Sequence, residues 1–275
     1  MCRRENGSKR SGMRWAGLKP AVVFAAFLCV LPAVGAEQKL DLYLLIGQSN
    51  MAGRGTVEDR DLKPHPRVLA LNQNNEWVPA VDPIHFDKKQ AGVGPGRSFG
   101  IAMAGHDPDA VIGLIPCAVG GTSIRKWSPG AADTKTKTHP YDDMLARLRI
   151  AMKSGTVKGV LWHQGEADGK MGEAGTYAAA LTELIERVRA ECGDRDLPFV
   201  VGQLGQFDGK PWNEGRKAVD AAQRRVAESV PHCAFASAEG LVDRGDLTHF
   251  DAKSARLLGE RFAQRMIVLQ ERRKR

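Results

Sequence analysis

Short apolar runs alternate with amphipathic stretches along most of the chain, and this alternation limits the fold more than any other feature. Leu42–Ile46, Arg67–Leu71, Val111–Pro116, Val157–Trp162, Phe199–Leu204 and Cys233–Ser237 have the length and apolar content of buried strands. Between them lie helical patterns at Ser98–Ala104, Tyr141–Lys153, Thr176–Glu191, Glu214–Val230 and Ala252–Gln270. Met144, Leu145, Leu148 and Met152 share one helical face, as do Tyr177, Leu181, Leu184, Ile185 and Val188. About five strand–helix alternations predict a parallel sheet covered by helices on both faces. The expected fold is therefore α/β, a three-layer α/β/α sandwich around a central parallel five-stranded sheet. Asn72–Asp87 reads as loop, and no internal repeat or linker marks a second domain.

Four polar clusters follow strands directly: Gly47–Asn50, Gly120–Ser123, His163–Glu166 and Asp246–His249. In a parallel sheet the strand carboxyl ends share one edge, so clusters far apart in sequence meet there. Each is weak alone. Gly-Gln-Ser-Asn is an ordinary turn composition, a Gly pair is equally a turn, and Asp-x-x-His is commonly a capping or surface pair. Together they supply a nucleophile, a base and oxyanion donors. Ser49 closes the first apolar strand, although Met51 breaks the Gly-x-Ser-x-Gly elbow pattern. The three-residue offset of Asp246 and His249 lets the carboxylate reach one imidazole nitrogen and leaves the other for Ser49. Glu166 is the alternative acid. Ser49 N–H, the Gly120 or Gly121 N–H and the Gln164 amide are the expected oxyanion donors. His163 and Glu166 offer one histidine without a second at helical spacing, so neither a metal nor a cofactor is expected. His65, His85, His106, His139 and His232 read as structural or exposed.

Composition bears on the compartment. Ala21–Leu31 is an apolar stretch of 11 residues, too short for a bilayer span, behind a basic segment containing Arg14 and Lys19. Val34-Gly35-Ala36 supplies small residues for cleavage, so 1–36 reads as a secretory signal peptide and 37–275 as a single domain, secreted or periplasmic. That segment holds six Lys/Arg and one Glu, and its removal lowers the net charge from +8 to +3. The remaining basic run at Glu271–Arg275 is a solvated terminus without interleaved aromatics. Nucleic acid is not an expected partner, and neither is a stable membrane partner. Cys117, Cys192 and Cys233 are too few for a disulfide framework, although an exported chain permits one bridge; Cys117 and Cys233, in apolar strand-like runs, read as buried thiols. Oligomeric state is not legible.

Five blocks in order, GQSNMAG, GVGPGRSFG, PCAVGGTSIRKW, WHQGEAD and DLTHFD, resemble the SGNH hydrolases of the sialic-acid-esterase-like, carbohydrate esterase family 6 group. The resemblance spans most of 37–275. It implies an α/β/α SGNH fold and an esterase that removes O-acetyl groups from carbohydrate, such as acetylxylan or a sialic-acid-type acetyl ester. Carried over by motif, Ser49 matches the nucleophile, His249 the base, Asp246 the acid and Gln164 an oxyanion donor. The glutamate of the HQGE block, Glu166, competes with Asp246 for the acid's place. Trp77, Trp127 and Trp212 are candidates for stacking on sugar rings. A non-catalytic carbohydrate-binding module on the same scaffold has no need of Ser, Asp, His and Gln together. An SGNH lipase or thioesterase calls for an apolar surround at Ser49, where this chain has Gly, Arg and Trp.

Overall fold

In the computed structural model, residues 39–170 and 173–274 are described, so the signal-peptide reading of 1–36 lies outside them. The first strand, β1 (Leu40–Gly47), is central in a seven-stranded sheet. It is flanked by β4 (Ile112–Pro116) and β5 (Gly155–His163), both parallel to it. Beyond β4 come β2 (Val68–Leu71) and β3 (Trp77–Pro79), and beyond β5 come β6 (Phe199–Gly202) and β7 (Cys233–Ala236).

Leu42, Leu44 and Ile46 enter one core, whereas Tyr43 and Leu45 enter another on the opposite face. A strand buried on both faces must be apolar at nearly every position, which is why β1 shows no polar alternation. Leu42, Leu44, Leu45 and Ile46 are fully buried, each stabilising the fold by about 1.5–3 kcal/mol.

Helices α3 (Pro140–Ala151), α4 (Tyr177–Cys192) and α5 (Glu214–Ser229) cover the first core. The second lies under α2 (Pro95–His106) and α6 (Ala252–Lys274). Pro140 sits in the first turn of α3, where its missing N–H costs nothing, and Asp142 and Asp143 favour the helix N-terminus. The Asn213 side chain caps α5 by accepting from Arg216 N at 2.9 Å. Where α6 crosses α2, a Cβ on Gly259 would run into Ser98 Oγ and the Pro95 carbonyl, so glycine permits the close approach.

The α/β class and layering match the expectation, but the sheet is larger and mixed. Six strands are parallel, and β3 adds an antiparallel edge. That edge falls where the sequence reads as loop. Trp77–Pro79 is only three residues long, and its pairing follows from the turn through Asn75 in the left-handed region. A strand so short carries no periodicity to read. Cys117, Cys192 and Cys233 are unbridged thiols, with Cys117 and Cys233 buried.

Candidate active site

Strand order alone brings the loops after β4, β1 and β5 side by side at one sheet edge. Gly47 ends β1 at φ +130°, and a Cβ there would strike the His163 carbonyl of β5. That carbonyl accepts Gln48 N–H at 2.9 Å. Ser49 then opens the short turn α1 (Ser49–Ala52), anchored in the core by fully buried Met51.

Ser49 Oγ lies 3.0 Å from His249 Nε2, and His249 Nδ1 lies 2.8 Å from Asp246 Oδ2. The histidine loop is wound locally. Asp243 Oδ2 accepts from Gly245 and Leu247 N–H, while Asp246 Oδ1 accepts from Thr248 and His249 N–H. Gly245 and Leu247 both have positive φ, which tightens the loop. Burial pushes the Asp246 carboxyl up, but the bonds from the His249 ring and from the two loop amides outweigh it. The net effect holds Asp246 below the usual carboxylate range, so it is anionic at neutral pH.

Of the two competing carboxylates, Glu166 is turned elsewhere. Its Oε1 accepts from Asn50 Nδ2 at 2.6 Å and lies 4.0 Å from His163 Nδ1. Asn50 is the residue that sequence reasoning missed. Its Nδ2 also donates to Thr248 O at 3.0 Å, and its Oδ1 accepts Phe250 N–H at 3.1 Å. Asn50 thereby ties the histidine loop to the turn carrying Ser49, across about 200 positions of sequence. The only available signal was its place beside Ser49. His163 is fully buried, which pushes its pKa down, and its Nε2 donates as a neutral imidazole to Gln203 O at 2.8 Å.

The groups expected as oxyanion donors are not all free to face the cleft. Gln164 is fully buried, and its Nε2 faces Thr122 O, the Asp168 carboxylate and Gln48 Oε1. A carbonyl and a carboxylate can only accept, which fixes that end as the amide nitrogen. With Tyr177 OH donating to Gln164 Oε1, the side chain is saturated inside the protein and does not reach the cleft. Gln48 does line the cleft. Its Oε1 accepts from Gln164 Nε2 and, at 3.4 Å, from Ala167 N–H, which leaves its own NH₂ without an acceptor among the described residues. Gly120 N–H is taken by Asp87 Oδ2 at 2.9 Å, and that oxygen also accepts from Arg54 Nη2 at 2.6 Å. Ser49 N–H and Gly121 N–H have no internal partner among the described residues.

These groups open onto a cleft of about 890 Å³. A model of the family described as carbohydrate esterase, sialic acid-specific acetylesterase, matches residues 39–268. The chain belongs to this carbohydrate esterase family. It is 31% identical over 244 residues to a probable carbohydrate esterase of Arabidopsis thaliana, covering 81% of this chain and 88% of that one. A probable 9-O-acetyl-N-acetylneuraminic acid deacetylase of Escherichia coli is 25% identical over 211 residues, 60% of this chain and 63% of that one. The crystal structure of an Arabidopsis thaliana protein superposes with a TM-score of 0.73 at 30% identity, covering 84% of this chain and 99% of that one. That of NanS superposes at 0.68 with 18% identity, covering 86% and 98%, a likeness of fold.

In this carbohydrate esterase the tryptophans expected to stack on sugar do not line the cleft. Trp127 is fully buried edge-on against Trp162, at a ring separation of 5.4 Å. Trp77 and Trp212 pack against the first core, and neither lines the cleft. Among the described residues no group of three or more His, Cys, Asp or Glu could hold a metal, and no helix is long and apolar enough to cross a membrane.

Proposed function

We propose that the protein is an exported serine esterase that removes O-acetyl groups from carbohydrate through an acyl-enzyme. The observation that carries this reading is the unbroken chain of hydrogen bonds Asp246–His249–Ser49 at the mouth of the cleft. Ser49 Oγ attacks the acetyl carbonyl carbon while its proton passes to His249 Nε2. The imidazolium is stabilised by Asp246. Collapse of the tetrahedral intermediate breaks the ester C–O bond, and the departing sugar oxygen takes the proton from His249. Water then attacks the acetyl-serine, gives its proton to His249, and acetate leaves as Ser49 Oγ regains that proton. The charged lining of the cleft does not suit the acyl chain of a lipid or thioester substrate. Export rests on the sequence pattern of residues 1–36.

The test is direct capture of the intermediate. Quenching the enzyme during turnover of a small activated acetyl ester should leave one acetyl group on the Ser49 peptide, detected by mass spectrometry. Turnover with no covalent adduct on Ser49, under conditions where deacetylation limits the rate, would exclude the acyl-enzyme.

In this mechanism Ser49 N–H, Gly121 N–H and the Gln48 NH₂ hold the oxyanion, and Gln164 aims Gln48. Gln48→Ala is therefore expected to lower kcat by about 10²–10³-fold, the usual cost of losing one oxyanion donor, with little change in KM. Gln164→Ala should lower kcat less, because it frees Gln48 without removing it. Steady-state kinetics on the two variants decides this, and a larger kcat loss for Gln164→Ala would reverse the assignment.

A further inference from the structure

The cleft is strongly cationic. Seven of its twenty described lining residues are Lys or Arg, against three Asp or Glu. Arg54 is neutralised by Asp87, and Arg125 has a contact of its own. Arg216 is different. It sits in the first turn of α5, is only 5% exposed, lines the cleft, and has no side-chain hydrogen bond or ion pair among the described residues. Its stem is buried, whereas none of its guanidinium nitrogens is among the buried atoms that lack a partner, so the charged end opens onto the cleft with no carboxylate of the described residues beside it. An anionic group bound in the cleft would meet it there.

Sheet order places these charges on either side of Ser49. Arg216 belongs to the element after β6, beyond β5, whereas Lys88 lies near Gly121 of the loop after β4. Lys88 and Lys135 are exposed and line the same cleft. Its volume of about 890 Å³ is toward the upper end of the roughly 300–1,000 Å³ range of ligand pockets. No Trp, Tyr or Phe is among its described lining residues, so apolar ring stacking does not select the sugar.

Resting on the esterase reading above, we propose that the substrate is an acidic acetylated oligosaccharide bearing carboxylates on more than one sugar, with Arg216 binding a carboxylate bidentately. A neutral acetylated xylan leaves Arg216, Lys88 and Lys135 without an anionic partner, whereas Lys126 already donates to Ala132 O at 2.8 Å. A single acidic sugar uses Arg216 but not the charges across Ser49.

The experiment compares kcat/KM at low salt for acetylated oligogalacturonate, O-acetylated sialic acid as the free sugar and acetylated xylo-oligosaccharide, with a small acetyl ester to establish esterase activity. Expected is a preference of about tenfold or more for oligogalacturonate over xylo-oligosaccharide, shrinking as salt screens the exposed lysines. Arg216→Gln should reduce that preference by about tenfold or more, mainly through KM, as expected for loss of a charge-assisted bidentate contact. Arg216→Lys, which keeps the charge and guards against misfolding of the Gln variant, should restore only part of it. Lys217→Gln, an exposed neighbour paired with Glu214 outside the cleft, should behave as wild type. Equal kcat/KM on the neutral and acidic oligosaccharides, with the small ester hydrolysed, would overturn the inference and leave the esterase reading standing. Equal efficiency on free acetylated sialic acid and the oligomer would overturn the extended occupant. Should no ester be hydrolysed, calorimetry with unacetylated oligogalacturonate still decides: binding lost in Arg216→Gln and weakened in Arg216→Lys supports the carboxylate site, and binding unchanged in Arg216→Gln overturns it.

Discussion

Ser49→Ala is expected to lower kcat by about 10³-fold or more while leaving the fold intact. The serine hydroxyl supplies the bond-forming electron pair, and alanine offers no atom to take its place. Residual activity would come from the remaining oxyanion donors and from binding, which survive the change. The fold should tolerate it because Ser49 Oγ makes its contact with the His249 ring at the cleft and not with the core. Met51 and Ala52 continue to anchor the turn. Circular dichroism and a thermal melt establish that the variant is folded, and acetate release measures its rate. A folded Ser49→Ala protein that keeps most of its activity would end the covalent mechanism.

Asp246→Asn should lower kcat by up to about 10⁴-fold, and at least tenfold more than Glu166→Gln, a gap of about 1.4 kcal/mol in barrier. An asparagine at 246 can keep the backbone bonds to Thr248 and His249 through its carbonyl oxygen, so the loop survives. Its NH₂, however, then faces His249 Nδ1 and favours the tautomer with the proton on Nε2, which cannot accept from Ser49. The imidazolium formed during attack also loses its counter-charge. Glu166→Gln is milder for a geometric reason. A glutamine carbonyl oxygen still accepts from Asn50 Nδ2, so the strap between the serine turn and the histidine loop persists. Rates for both variants, each shown to be folded, check the ordering. If Glu166→Gln is the more damaging, the working acid is Glu166 and the Asp246 contact is incidental.

The pH dependence of stability follows the sign of the Asp246 shift. A carboxyl held below its unfolded value adds stability above that value and loses it as pH falls through the folded one. Side-chain exposure of 40% keeps this contribution small.

The sequence by itself determined what depends on local order. Two-sided apolar runs made β1, β4, β5 and β6 recognisable as buried parallel strands, and the alternation with amphipathic helices fixed the layered class. The Asp246–His249 pair was legible because three residues of loop suffice to bring a carboxylate to an imidazole. Ser49 was legible because a strand's carboxyl end is a place in the sheet as well as in the chain. Tertiary structure alone decided the rest. Gln164 follows β5 immediately, but Gly165 at φ +143° breaks the strand's alternation there. Asp168, Thr122 and Tyr177 then hold the amide inward, and Gln48, 116 residues earlier, is left facing the cleft. Trp127 sits in a polar stretch yet is fully buried, because Trp162 from another element completes its packing. The strap through Asn50 and the cationic lining are likewise assembled from segments distant in sequence. Hydrogen bonds and charge clusters between distant residues leave no periodicity in the chain, since their geometry exists only once the sheet has set the loops beside one another.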